Sequence, residues 1–315
     1  MSILYLKEQE VAQLATVAET IDVLEEAFRD QASGRAFNNS RSRLRMPTAT
    51  LHLMAGAVPG YFGYKVYTVA AGKLQFFCFL FAENADLVAM IEANTLGQIR
   101  TGAASGLATR ILSNPDATEA VLFGVGWQAQ TQLLAIDAVR KLKRVWVANR
   151  DPQRREVFMK KMQPQVRAKL EPVTSAEKAV GSSQIVTTIT DTREPVLLGK
   201  WLQQGTHINA AGGNSLVRRE LDDEAVFRAT RIVADSIEQS KLEAGEFVAA
   251  IESGRRHWED FIELRDVVAG GKPGRTNLTD ITLFKSLGVA IEDVAIAKLV
   301  YERATQQGMG NRLSI

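Results

Sequence analysis

The segment VLFGVGWQAQ, residues 121–130, followed by RVWVANR, residues 144–150, decides the fold of this 315-residue chain. The apolar run EAVLF ends in Gly124-Val125-Gly126-Trp127-Gln128-Ala129, a G-x-G-x-x-G/A pattern, and a helical stretch follows. Each small residue has a physical task. Gly124 permits a tight turn, Gly126 leaves room for a pyrophosphate beside the backbone, and Ala129 lets the helix lie close to the strand while its N-terminus faces the phosphates. Alone the motif is weak; its place between a strand and a helix is what favours a dinucleotide over a plain glycine turn. The end of the second strand then selects the nucleotide. An acid there binds a ribose 2′-hydroxyl, whereas this strand ends Asn149-Arg150, and a guanidinium attracts the 2′-phosphate that a carboxylate repels. NADPH is therefore the favoured cofactor. NADH is the alternative, because Asp151 follows at once and could turn to a ribose hydroxyl.

Outward from this motif the pattern is β-α-β: EAVLFGVG, a helix over 127–140, RVWVANR, a helix over 152–162, then SQIVTTIT, THINAAGG and RIVAD. Such alternation predicts an α/β fold with a doubly wound parallel sheet of Rossmann type. Ligands of such a sheet lie beyond the carboxyl ends of its strands, which places Thr188, Ile189 and Thr190, and Gly212, Gly213 and Asn214, at the nicotinamide crevice. Upstream the texture differs. Val11, Leu14, Val17, Ile21, Leu24 and Phe28 recur at helical spacing and predict one amphipathic helix over 9–31, stopped near Gly34. Short β-type runs then follow between about residues 41 and 92, from SRLRM through LVAMIEA, and predict a mostly antiparallel sheet. The run Phe76–Phe81 is apolar on both faces, so its strand must be covered twice, by its own domain and by a further surface for which a second subunit is one candidate. After it comes GQIRTGAASGLATRIL, a helix whose small residues, Gly102 to Ala108, call for close backbone packing or for a ligand against that surface.

Composition narrows the function. Of the side chains 38 are basic and 36 acidic, a net charge of +2, so no broad field points to nucleic acid or an anionic membrane. The single cysteine, Cys78, lies in LQFFCFLFA and reads as a small buried hydrophobe; no disulfide framework and no metal site are expected. The start, MSILYLKEQEVAQL, has no signal-peptide pattern, and no apolar run approaches the roughly 20 residues of a membrane span. A cytoplasmic enzyme or binding protein is the expectation.

The candidates for handling a small anion are basic residues in apolar or small-residue surroundings: Lys65 in GYKVYTV, Arg100 before the small-residue helix, and Arg41, Arg43 and Arg45, which share one face of a strand by period two. Lys65, among Tyr64, Val66 and Tyr67, is the least easily read as a solvated charge.

Over nearly the whole chain these segments resemble the ornithine cyclodeaminase/mu-crystallin family: LHLMAGA with GYKVY, IRTGAASGLAT, LFGVGWQAQTQ, THINAAGG with RELDDE, and LFKSLGVAIEDVAIAKLVYE. The resemblance implies a homodimer. It implies an α+β substrate-binding and dimerisation domain, residues 1–116 completed by 290–315, around a Rossmann domain over 117–289. It implies hydride exchange between a nicotinamide and the α-carbon of an amino acid or its imine. Residue by residue, the family's carboxylate arginine in the first strand matches Arg41, with Arg43 the alternative because the register is open; its lysine matches Lys65 and its second carboxylate arginine Arg100. Two guanidinium groups on one carboxylate fix position and orientation together, and Lys65 could hydrogen-bond the carboxylate or deliver a proton near the imine nitrogen. Thr101, Ser286 and Leu287 match positions near the cofactor.

Two departures redirect the reading. Where cyclodeaminases have a glutamate, two residues before the methionine of LHLM, this chain has His52; where they have an aspartate, after the glycine pair, it has Asn214. Asn214 can donate and accept hydrogen bonds but cannot serve as a base near neutral pH. Ornithine cyclodeamination is therefore disfavoured. His52 could supply a proton, although a structural strand histidine is the favoured reading. The expectation is an NAD(P)H-dependent reductase of cyclic ketimine carboxylates such as pyrroline-2-carboxylate or piperideine-2-carboxylate. The alternatives are an amino-acid dehydrogenase or reductive aminase of 2-oxo acids, and a non-catalytic binder of NADPH and a small carboxylate.

Overall fold

The computed structural model describes residues 2–314. The chain divides after Arg100 and again after Leu287 into two units, each with its own sheet.

The first unit is built from strands β1 (Ser2–Leu6), β2 (Phe37–Asn38), β3 (Ser42–Arg45), β4 (Ala49–Val58), β5 (Tyr61–Ala70), β6 (Lys73–Ala82) and β7 (Leu87–Glu92). Three long antiparallel strands, β4, β5 and β6, form its centre, with β2 and β3 both on β4. Two elements escaped the sequence reading: β1 runs parallel to β7, and the strand Asn311–Ser314 closes the edge beyond β1. Both are too short for periodicity to register. The helix expected over 9–31 is two helices, α1 (Glu8–Leu14) and α2 (Val17–Ala32), because Ala15 is extended and the Thr16 hydroxyl caps α2 by accepting from the Glu19 amide. Gly34, at φ +77°, ends the second.

The register of the central strands sorts their side chains. One face carries Met54, Lys65 and Cys78 side by side, with His52, Tyr67 and Phe76 in the next row. Against it lies the helix Ala290–Gln307: a Cβ on Gly56 would lie 3.0 Å from the Ile291 amide nitrogen, a tight contact that glycine avoids. The opposite face is an aromatic ladder in which Phe62 stacks on Phe81 and Tyr64 on Phe79, with ring centroids 5.4 and 5.1 Å apart. Within the chain that ladder is only half covered, and Phe62 keeps 39% of its surface exposed.

The second unit is an eight-stranded parallel sheet. In chain order its strands are β8 (Glu119–Phe123), β9 (Arg144–Ala148), β10 (Lys169–Pro172), β11 (Ile185–Thr188), β12 (His207–Ala210), β13 (Arg231–Ala234), β14 (Phe261–Glu263) and β15 (Thr282–Lys285). Their spatial order is β10-β9-β8-β11-β12-β15-β13-β14. It reverses direction at β8 and β11, the switch point at which doubly wound sheets bind nucleotides. Apolar side chains from both faces of the sheet form two cores that bury Val121, Val186 and Leu283 on one side and Leu122, Val147 and Ile185 on the other.

The helix α3 (Asn94–Leu112) carries the first division, so the boundary falls after Arg100, where the sequence placed it between 116 and 117; the second falls at 287/288 where 289/290 was expected. The reason is the small-residue stretch. A Cβ on Gly102 would sit 2.5 Å from the carbonyl oxygen of Thr131, in α4 (Trp127–Val139), so the later part of α3 is fastened to that helix. Of the two alternatives for this stretch, close backbone packing is the one present. Among the described residues no helix is long and apolar enough to cross a membrane. Gly102→Ala is expected to destabilise the protein by about 1–3 kcal/mol, as overpacking does, read as a lower urea midpoint with an unchanged slope.

Candidate active site

In the second unit the glycine motif has the geometry the sequence called for. Gly124 sits at φ +112°, and a Cβ there would come 2.5 Å from the carbonyl oxygen of Ile189 on the neighbouring segment. Gly126 caps α4 without a side-chain bond, and nothing lies within 4 Å of where its Cβ would be. The N-terminal amides of α4 are thus open to an anion, and Ala129, fully buried, holds the helix down. A cavity of about 740 Å³ opens here, lined by Gly124 to Gln128, Asn149 to Asp151, Arg154, Arg155, Ile189 to Thr192 and Gly212. These residues fit a dinucleotide in size, in amide donors and in positive charge.

At the second strand, Asp151 is already committed. Its Oδ1 accepts from the Gln153 and Arg154 amides at 2.9 and 3.1 Å, capping α5 (Pro152–Met162), and the Asn149 side chain accepts from the Asp151 amide. Arg150 is exposed at the cavity, joined by Arg154, which the sequence reading did not single out. Arg154 was legible only as another helix-surface charge, because its approach to the cavity depends on where the capped turn points.

Not every expected cofactor residue lines that cavity. Ile189 and Thr190 do; Thr188 does not, since its side chain is fully buried and its hydroxyl donates to Glu220. Thr101, Ser286 and Leu287 are also buried and away from the lining. The Leu287 amide donates to Asp235, and the Thr101 carbonyl accepts from Gln132. Asn214 is half buried beside Gly213, outside the lining.

In the first unit, the structure brings Arg41, Lys65 and Arg100 into one buried cluster, exposed by 6%, 3% and 8%. Burial sets the three candidate arginines apart. Arg41, just before β3, donates to the Gly288 carbonyl at 3.0 Å, whereas Arg43 is half buried and Arg45 exposed. Two carboxylates that the sequence reading passed over complete the cluster. Asp293 Oδ1 lies 2.6 Å from Lys65 Nζ and 3.3 Å from Arg100 Nε, and Glu292 Oε2 lies 3.0 Å from Arg100 Nη1. Both stand in the first turn of the helix Ala290–Gln307, whose first amides are capped from outside by the Asn38 side chain. Acids in a first helical turn are common; what marked these was their place between apolar neighbours in AIEDVAIA, a signal that points to burial. Gly288, at φ +76°, leaves room for the Arg100 guanidinium, into which any Cβ would run.

Three cations and two carboxylates thus share one buried cluster. Burial, followed by the repulsion of Arg100, draws the Lys65 ammonium down to about 8, while Asp293 works the other way. Lys65 is therefore charged at neutral pH yet close to releasing its proton, which suits a general acid. His52 is different. Its ring stacks on Tyr67 at 4.1 Å and 9°, and burial together with Arg43, Arg41 and Arg45 lowers it to about 4. It is neutral near pH 7 and forms an aromatic wall, the structural role favoured for it. Cys78, next to Lys65 in register, is fully buried with its thiol pushed up by desolvation, which leaves it inert. With a substrate that must be protonated, kcat/KM should fall as pH rises through about 8, where Lys65 loses its proton. Lys65→Met should remove that limb and cost roughly 10²–10⁴-fold in rate, the range for a lost general acid.

The chain matches the model of the ornithine cyclodeaminase/mu-crystallin family over residues 2–308. It is 34% identical to the Delta(1)-pyrroline-2-carboxylate reductase of Bacillus cereus (strain ATCC 10987 / NRS 248), over 73% of this chain and 71% of that protein. The solved Thermococcus litoralis Delta(1)-pyrroline-2-carboxylate reductase, in complex with NADH and L-proline, superposes with a TM-score of 0.92 at 32% identity, covering 98% of this chain and 99% of the other. An archaeal alanine dehydrogenase, a dimer with bound NAD, gives a TM-score of 0.93 at 30% identity over the full length of both chains. With the glycine motif, the cluster around Lys65 and a match that runs almost from end to end, the chain belongs to the ornithine cyclodeaminase/mu-crystallin family.

Proposed function

We propose that this protein is an NAD(P)H-dependent reductase of cyclic ketimine carboxylates such as Δ1-pyrroline-2-carboxylate or piperideine-2-carboxylate, with NADPH preferred. The coarser assignment, an oxidoreductase acting on CH–NH or CH–NH2 groups, rests on whole-chain kinship to reductases and dehydrogenases of imino and amino acids. The observation that carries the finer one is the buried cluster of Arg41, Lys65 and Arg100, with a lysine drawn down to about 8. Arg41 and Arg100 hold the substrate carboxylate. Lys65 Nζ, oriented by Asp293, gives its proton to the imine nitrogen, and the α-carbon becomes electrophilic. When bound, the reduced nicotinamide supplies the hydride for that carbon. Lys65 then recovers a proton from solvent.

Ring closure with loss of ammonia asks for carboxylates at positions 52 and 214, where this chain has a neutral, stacked histidine and an amide. The preference for NADPH is supported by Arg150 and Arg154 at the cavity and by the capping duty of Asp151. A second reading, reductive amination of a 2-oxo acid, is favoured by the full-length likeness to the archaeal alanine dehydrogenase.

Oxidation of NADPH and NADH at 340 nm tests these readings together. Turnover of pyrroline- or piperideine-2-carboxylate without ammonia is expected, and Arg150→Ala should raise the KM for NADPH about tenfold, ~1.4 kcal/mol, while leaving that for NADH near its original value. Turnover of pyruvate only when ammonia or an amine is added would move the function to reductive amination. Tight NADPH binding without turnover would leave a binding protein.

The aromatic ladder on the outer face of the first sheet is proposed to be covered by a second copy of this chain, as the dimeric relative suggests. Light scattering should then give about twice 34.6 kDa for the wild type and the single mass for Phe79→Glu. A monomeric wild type would contradict the assignment.

A further inference from the structure

A buried carboxylate remains that neither the glycine motif nor the Lys65 cluster uses. Glu220 is fully buried in the second unit, and burial holds its carboxyl above the usual range. Four donors converge on it. Oε1 accepts from the Thr190 amide at 2.6 Å and the Thr190 hydroxyl at 2.7 Å; Oε2 accepts from the Gly212 amide at 2.7 Å and the Thr188 hydroxyl at 3.0 Å.

The placing of these donors is what gives the residue a role. Between β11 and β12 the last ladder bond runs from the Ala211 amide to the Thr188 carbonyl, and beyond it the two chains leave the sheet as the segments that line the cavity. The next free amides are those of Thr190 and Gly212. Glu220 takes one on each oxygen, so a side chain replaces the missing rung and fixes the spacing of the two segments. Gly212 is pressed so close to the Thr190 backbone that a Cβ would overlap both it and Glu220. A second tier holds Glu220 in turn: its amide donates to Glu246 Oε1 at 3.2 Å, and Lys285 Nζ bridges Glu246 Oε2 at 3.0 Å and the Gly213 carbonyl at 2.7 Å. A buried carboxylate costs stability unless such partners accompany it. A fold in need of one more rung could be served by backbone alone, whereas here three buried ionic groups stand behind two cavity segments.

We propose that Glu220 is a positioning residue for the nicotinamide end of the cofactor cavity, setting the separation of the Ile189–Thr190 and Gly212 segments that receive the ring. The proposal rests on the reading of this cavity as the dinucleotide site. It acts on the carboxamide-bearing ring and not on the adenosine end, where Gly126 and Arg150 stand.

That asymmetry supplies the test, made on the full-length protein with NADPH and with 2′,5′-ADP, which lacks the nicotinamide. Glu220→Gln puts an amide donor where an acceptor is needed. It should weaken NADPH about tenfold, leave 2′,5′-ADP unchanged, and move the emission of bound NADPH toward that of the free nucleotide. Thr188→Val, which deletes one bond within nearly the same shape, should shift NADPH in the same direction by less, and it decides the matter if Glu220→Gln fails to fold. Equal weakening of both ligands, or wild-type affinity and emission for both alongside a lowered melting temperature, would reduce Glu220 to a structural support and overturn the proposal. A wild-type protein that binds neither ligand would overturn the nucleotide reading itself.

Discussion

Burying the Lys65 ammonium in the middle of a sheet costs several kcal/mol unless counter-charges are buried with it. Much of the first unit follows from that requirement. Asp293 must reach Lys65 from a helix, so the helix Ala290–Gln307 has to lie on the sheet, and Gly56 is the residue that lets it come close. Arg100 then meets Asp293 and Glu292 together, in the space that Gly288 leaves open. A chain segment nearly two hundred residues downstream of α3 thereby returns to finish a site begun by β3 and β5. Removing Asp293 would take a carboxylate from Lys65 and Arg100 at once, which is why the cluster has to be considered as a unit.

The same charges that stabilise one another also set the chemistry. A lysine paired only with a carboxylate would hold its proton firmly; the loss of water and then Arg100 oppose that, and the balance falls near 8. In the proposed reading the cluster fixes an anion and releases a proton near neutral pH. Neither property needs a residue of unusual type. His52 shows the contrast, since burial and then three nearby arginines leave it without a proton to give.

Much of this was legible in the sequence, and the parts that were not have physical causes. Glycine spacing pointed to the proposed nucleotide site because Gly124 and Gly126 are needed for backbone reasons, which the sequence states directly. Lys65 and Arg100 stood out because a charge among apolar or small neighbours needs an explanation. The choice among Arg41, Arg43 and Arg45 was not decidable, since period two gives all three one face while burial depends on where the strand begins. Glu292 and Asp293 were hidden because first-turn acids are ordinary, and their partners lie some two hundred residues away. Thr188 was assigned to the cofactor by its place at a strand end, but the direction of its side chain was set by Glu220, which no local pattern reveals.

The central claim is that Arg41, Lys65 and Arg100 together receive a flat imino carboxylate. Calorimetric titration of the NADP⁺-loaded protein with pyrrole-2-carboxylate, a planar mimic of the proposed substrate, addresses it most directly, with pyrrole as the uncharged control. The account predicts one site per chain for the acid, no binding of pyrrole, and loss of the acid's binding in Arg41→Ala and in Arg100→Ala. Equal affinity for pyrrole, or undiminished binding of the acid by a correctly folded Arg41→Ala protein, would contradict it.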